Sequence, residues 1–246
     1  MKVIATYSIK GGVGKTTSAV NLAYAAARHG VRVLLWDVDP QGAATFFFRI
    51  KPKVKGGTRR LVGDGGALEA HIRATDLPGV HVVPADFSLR HLDLHLDGVA
   101  RPAERLASLL APCAASYDLA ILDCPPSISL ASESVFGAAD ALVVPVLPAT
   151  LSARTLAQLM GFLEGDDNAP RVHPHFSMVD RRKRLHRELV DSLPQSWPDF
   201  LRTAIPNSSA VERMGVERSP VATFAPRTAA AVAFGELWTE LATRLW

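Results

Sequence analysis

The sequence predicts an α/β fold: one domain with a mostly parallel central sheet flanked by helices on both faces. Three observations predict it. Short apolar runs alternate with helix-period stretches along nearly the whole chain, the pattern of strand–helix–strand units whose strands run parallel. The run "VRVLLWDVD" (31–39) is apolar on both faces and so is expected at the centre of a sheet covered on both sides. A glycine-rich loop lies between the first apolar run and the first helical stretch, where helix N–H groups can meet an anion.

The elements follow in order. Residues 3–8, "VIATYS", read as a strand, and 16–28 as a helix stopped by Gly30. Strands are expected at 31–39, 80–85, 119–123, 141–148, 172–179 and 201–205. Helices are expected at 102–115, 129–138, 151–163, 182–193, 208–214 and 228–245. The segment 46–66, "FFFRIKPKVKGGTRRLVGDGG", is rich in glycine and in Lys51, Lys53, Lys55, Arg59 and Arg60. Its part from 50 to 66 is expected as a mobile basic loop, either simply solvated or a patch for DNA phosphates or an acidic partner.

With 246 residues, 48% hydrophobic and 21% charged, the chain is long enough for a large buried core. No apolar run approaches the ~20 residues that span a bilayer. Residues 1–8 lead straight into the loop, so no signal peptide is expected. Cys113 and Cys124 lack metal-like spacing, and a reducing cytoplasm is expected. A net charge of +3 permits a nucleic-acid partner without requiring one.

Three motifs carry chemistry. The first is "SIKGGVGKTT" (8–17). It follows the phosphate-loop pattern G-x-x-x-x-G-K-[ST] except that Ile9 stands where the first glycine belongs, with a further cation, Lys10, beside it. Gly11, Gly12 and Gly14 let the backbone turn so that N–H groups converge, Lys15 reaches outer phosphates, and the Thr16 hydroxyl suits Mg²⁺. The second is "LLWDVDPQG" (34–42), where Asp37 and Asp39 point to one side at a strand's C-terminal end, the ligand end of open α/β sheets. The third is "LAILDCPPS" (119–127), an apolar strand ending in Asp123, the Walker B arrangement facing a Mg²⁺ shell. Cys124 is read as a small buried residue, with no histidine beside it to activate it.

"KGGVGKTT", "DVDPQG" and "DCPPS", in this order, resemble the ParA/Soj partition ATPases, P-loop NTPases of the wider group that includes MinD and the nitrogenase iron protein. The likeness continues in "FSMVDRR" (176–182), "AIPNSSAVER" (204–213) and "FAPRTAAAVAFGEL" (224–237), so it covers nearly the whole chain. The resemblance implies a single deviant Walker A ATPase domain over 1–246, with ATP or ADP held by Lys10, Gly11, Gly12, Val13, Gly14, Lys15, Thr16 and Thr17. It implies that Lys10 reaches the partner's nucleotide across a sandwich dimer, that Asp39 orients the attacking water, and that Asp123 holds Mg²⁺ with Thr16 and with Asp37 in support. Met178, Asp180, Pro206 and Asn207 would flank the adenine. Slow, partner-stimulated ATP hydrolysis would segregate or position DNA or another cargo.

Nonspecific DNA is the expected partner beyond the dimer and a cargo adaptor, which would place the protein on the nucleoid. Lys183, Arg184, Arg187, Arg202, Arg213 and Arg218 are the candidate contacts, a solvated helix face being the plainer reading of the run "DRRKRLHREL". Only nine residues precede Lys10, so no DNA-reading domain is expected there, and segment 46–66 matches no family pattern. The rival reading is a MinD-like membrane ATPase. Against it, the stripe Leu237, Trp238, Leu241, Leu245 and Trp246 in the last helix is expected to pack on the domain rather than on lipid. An iron-protein-like reductase would need cluster cysteines in another pattern.

Overall fold

The computed structural model describes residues 1–63 and 65–246; Asp64, inside the expected basic loop, lies outside the described residues. Seven strands form one sheet: β1 Lys2–Thr6, β2 Val33–Asp37, β3 Arg73–Ala74, β4 Val80–Val83, β5 Leu119–Asp123, β6 Ala141–Val146 and β7 Arg171–Phe176. Their order is β3-β4-β2-β5-β1-β6-β7. Every pairing is parallel except that of the short edge strand β3 with β4. The C-terminal ends of β1, β2, β5, β6 and β7 therefore open on the same rim.

The helices are α1 Lys15–Arg28, α2 Ala43–Phe47, α3 Gly57–Val62, α4 Leu92–Asp97, α5 Arg105–Leu110, α6 Leu130–Ala138, α7 Thr150–Leu163, α8 Arg184–Ser192, α9 Ser209–Glu217, α10 Val221–Phe224 and α11 Ala229–Leu245. Strand alternation splits the core into two layers. From β1, Val3 and Ala5 face a layer closed by Leu61, Leu96, Leu106, Val135 and Leu156 of α3 to α7. Ile4 faces the other layer, closed by Val20 and Leu22 of α1 and by Phe234, Leu237 and Leu241 of α11. Helices thus cover both faces, as the sequence predicts.

The stripe of α11 is packed as expected: Leu237, Trp238, Leu241 and Leu245 are buried. Each such side chain contributes about 1.5–3 kcal/mol of apolar burial. Trp246, expected in the same stripe, is instead exposed, with its ring edge-to-face against Trp238.

Three expected elements are corrected. Residues 201–205 do not form a strand. Leu201 N–H donates to Pro174 and Ile205 N–H to Phe176, bonds four residues apart on one chain and two on the other, so no ladder register is kept. Pro174 also has no N–H to return. The helix over 102–115 is broken into 3₁₀ turns at each end of α5, with Pro102 and Pro112 starting those turns. The loop over 50–66 contains α3, because Val54, Thr58, Leu61 and Val62 are core residues. The Thr58 N–H and hydroxyl both bond the Ser88 hydroxyl at 2.8 Å.

Candidate functional site

The loop from β1 to α1 turns on two left-handed glycines, Gly12 at φ 71° and Gly14 at φ 101°. Gly14 is the N-cap of α1, and no side chain caps that helix. The first-turn N–H groups are therefore presented to an incoming anion. A Cβ on Gly14 would stand 2.8 Å from the Ser177 hydroxyl, so the close approach of the loop to the end of β7 requires glycine there.

Lys15 is buried, and its ammonium donates to the Lys10 carbonyl at 3.4 Å. Burial lowers its pKa, and the charges of Asp123 and Asp39 counter that shift. Lys10 is half-buried; its N–H donates to the Ser8 hydroxyl at 3.3 Å. Among the described residues its ammonium makes no ion pair.

Asp37 and Asp123 are fully buried neighbours at the ends of β2 and β5. One Asp37 oxygen accepts from the Thr45 N–H at 2.7 Å and the Thr45 hydroxyl at 2.6 Å. The Thr45 oxygen in turn accepts from the Ala85 N–H at 2.8 Å. One Asp123 oxygen accepts from the Thr6 hydroxyl at 3.3 Å. The second oxygen of each, Oδ1 of Asp37 and Oδ2 of Asp123, is buried without a partner among the described residues. Burial raises the Asp37 pKa to about 6 against the Thr45 bonds. Burial, then the Asp37 charge, raises that of Asp123, while the nearby Thr16 hydroxyl and Lys15 oppose the rise.

Two open carboxylate oxygens in a dry site ask for a cation or donors, and a hydrated Mg²⁺ beside Thr16 fits both. No group of three or more His, Cys, Asp or Glu among the described residues is placed to hold a metal alone, so phosphate oxygens and water must complete such a shell. Asp39 is half-buried and accepts from the Gln41 N–H at 2.9 Å. Cys124 is buried; desolvation and the Asp123 charge push its thiol well up, which leaves it inert as a nucleophile.

The other expected residues gather beside this loop. Met178 has a left-handed backbone, φ 56°, and its methyl lies 3.8 Å from where a Gly14 Cβ would be. Val179 bridges to Pro206, and Asn207 N–H donates to the Val179 carbonyl at 2.9 Å. One edge of the phosphate loop is thus walled by 177–180, with 206–207 behind it. Arg182 donates to both oxygens of Asp180, at 2.9 Å each, and holds its pKa down to about 2.

The candidate DNA contacts are unequal. Arg184 pairs with Glu188 and Arg213 with Glu217 on their own helices. Arg187 donates to the carbonyls of Arg181 and Arg182, at 2.7 and 3.2 Å. Arg218 donates to the Phe46 carbonyl and covers the Phe46 ring at 4.4 Å. The Lys183 ammonium and Arg202 guanidinium make no ion pair among the described residues. Sequence reasoning missed Thr45, Thr6 and Ser177. A threonine in the first turn after Gly42 was the one available signal for Thr45, whose hydroxyl is then within reach of a strand-end carboxylate.

The AAA_31 family model, an AAA domain, matches residues 1–168. The chain is 33% identical to the chromosome partitioning protein ParA of Caulobacter vibrioides over 260 residues, 99% of this chain and 95% of that protein. The chain belongs to the ParA/Soj family of P-loop partition ATPases. Within that family it is 30% identical to the sporulation initiation inhibitor protein Soj of Bacillus subtilis, over 98% of each chain. Its ParA fold also overlays cobyrinic acid a,c-diamide synthase of Mycobacterium smegmatis, solved with a bound ATP analog and magnesium. That match has a TM-score of 0.83 and 24% identity, covering 99% and 95% of the two chains, and it shows the fold alone. The ParA-family fold therefore hosts more than one chemistry, and function rests on the residues of the site.

Proposed function

We propose that this ParA-family protein binds ATP with Mg²⁺, closes into a nucleotide-sandwich dimer, and hydrolyses ATP slowly while retained on nonspecific DNA. In doing so it segregates or positions DNA or another cargo. The observation that carries this is the pair of buried strand-end carboxylates, each with an open oxygen, beside a phosphate loop holding two lysines. The overlay with a magnesium- and ATP-analog-bound structure supports the same ligands.

In this reading the first-turn N–H groups of α1 and Lys15 hold the phosphates. Thr16 and Asp123 would hold Mg²⁺, Asp123 through water, with Asp37 in support. The ion would supply charge neutralisation to the phosphates. Asp39, set by Gln41, orients the attacking water; little base strength is needed for phosphoryl transfer. Met178, Asp180, Pro206 and Asn207 flank the base. Lys10, free of any ion pair among the described residues, reaches the terminal phosphate of the partner's nucleotide. Loss of that phosphate weakens the dimer, and with it the doubled DNA-binding surface. An adaptor on the cargo stimulates the reaction.

The buried stripe of α11 supports this over a membrane-docked reading, and among the described residues no helix is long and apolar enough to cross a membrane. Sedimentation with duplex DNA of arbitrary sequence tests the proposal. The protein pellets as a dimer with ATP and Mg²⁺ and stays behind with ADP. Equal retention in both nucleotides refutes the switch.

A further inference from the structure

The basic segment that the phosphate chemistry leaves unused borders a cavity of ≈ 330 Å³. Pro40, Gln41, Phe46, Ile50, Phe87 and Arg218 line it. Two of these are large exposed aromatics, Phe46 at 46% and Phe87 at 66%, and each is stacked by an arginine. Arg218 lies 4.4 Å over Phe46, and Arg90 lies 4.0 Å over Phe87. Apolar surface that is contiguous and rimmed by polar groups marks an interaction site. The size matches a pocket that takes one large side chain.

The rim is cationic. Between residues 46 and 63 the chain carries Arg49, Lys51, Lys53, Lys55, Arg59 and Arg60 and no carboxylate; Arg49 is paired with Asp76, while Lys51 and Lys53 flank the lining residues Ile50 and Pro52. Lys51, Lys53 and Lys55 make no ion pair with the described residues. The lining carboxylate, Asp86, accepts from the N–H groups of Val54 at 3.1 Å and Ser88 at 2.8 Å, and among the described residues it forms no ion pair with the lysines of this segment.

An apolar floor inside a cationic rim calls for one ligand that carries both an apolar group and negative charge. Duplex DNA meets the rim but offers nothing to the floor, since its backbone cannot enter a concave apolar hole. We propose that this cavity docks an acidic segment of a partner protein, anchored by one aromatic or aliphatic side chain between Phe46 and Phe87. The cavity wall includes Gln41, whose N–H holds Asp39. A docked anchor therefore acts on the loop that sets Asp39. This last step rests on the hydrolytic role proposed for Asp39; the docking itself does not.

Fluorescence anisotropy on the intact protein tests it, with a labelled short peptide of aspartate and glutamate carrying one central phenylalanine. Binding is expected to saturate and to weaken with salt. It should fall about tenfold when the central residue is alanine, and by a similar factor in Phe87→Ala. In the presence of ATP and Mg²⁺ the peptide changes the hydrolysis rate of the unaltered protein and not that of Phe87→Ala, whose basal rate is unchanged. Equal affinity for the anchorless peptide, or undiminished binding to Phe87→Ala, overturns the proposal. So does labelled oligothymidylate that binds there more tightly than the peptide and is lost in Phe87→Ala, which assigns the cavity to single strands. Peptide binding that depends on Phe87 while no ATP is turned over supports the docking site and removes the ATPase reading instead.

Discussion

Asp37 and Asp123 end adjacent strands in register, both fully buried, each with one oxygen that meets no partner among the described residues. Burial raises the cost of ionising either, and repulsion between like charges so placed adds to it. The Asp37 pKa stands at about 6 against 3.8 in the ordinary group. Its folded form thus binds the proton more tightly than its unfolded form. The stability this proton lends is full below about 3.8 and is lost as pH rises through about 6. Without nucleotide or metal, Asp37→Asn is expected to gain stability relative to the unaltered protein across that window and hold the gain above it. Urea unfolding at a series of pH values checks this. A difference that stays flat with pH would mean that Asp37 is not strained.

Thr45 offers Asp37 both its N–H and its hydroxyl, and takes the Ala85 N–H in return. Thr45→Val keeps the shape and removes the hydroxyl. It strands the Ala85 N–H and costs the carboxylate one of its two donors. The expected loss is about 1–3 kcal/mol, measured by denaturant unfolding at neutral pH. Added Mg²⁺ and ATP should recover part of it, since a ligand bound only by the folded state stabilises that state.

Gly14 sits at φ 101°, with Ser177 2.8 Å from its missing Cβ. Gly14→Ala forces a left-handed backbone on alanine, a cost of about 1–2 kcal/mol, and pushes the loop off β7. Nucleotide binding, followed by calorimetric titration, should fall by more than tenfold. Restoring space with Ser177→Gly in the same chain should recover only part, because the backbone strain remains.

The same residues show what a sequence discloses and what it does not. Asp37, Asp123 and the glycine loop were legible because each is announced by neighbours: an apolar run, then a polar residue at its end. The central strands were legible for the same reason. Thr45, Thr6 and Ser177 were not, because their roles come from the packing of segments far apart in the chain. The 201–205 stretch has strand-like composition, and only its mismatch with Pro174 denies it a ladder. The helix within 50–66 was hidden by the glycines and the five lysines and arginines of that segment, which mask its few buried positions.

Lys10 and Lys15 enter the same loop from different positions: Lys15 is buried and bonded to the Lys10 carbonyl, whereas Lys10 is half-exposed. Lys15→Ala should abolish nucleotide binding. Lys10→Ala should retain nucleotide within a few-fold and lose ATP-dependent dimer formation. Titration with a fluorescent nucleotide and analytical ultracentrifugation separate the two effects. If Lys10→Ala dimerises normally, the sandwich contact is removed from the mechanism.

Arg187 was a candidate for DNA, yet its guanidinium donates to the carbonyls of Arg181 and Arg182. The neighbouring His186 ring accepts from the Asp180 N–H at 3.0 Å. Helix α8 has no fully buried residue, and these bonds tie it to residues 180–182, at the end of the 177–180 wall of the site. Arg187→Ala should therefore loosen that wall and weaken nucleotide binding several-fold, while the salt slope of DNA binding stays unchanged. Lys183→Ala, which removes an unbonded cation, should do the reverse: nucleotide affinity is kept and the slope of log K against log salt falls by about one. Salt-series DNA titrations on both variants decide it. A reduced slope in Arg187→Ala with unaltered nucleotide affinity would return Arg187 to the DNA surface.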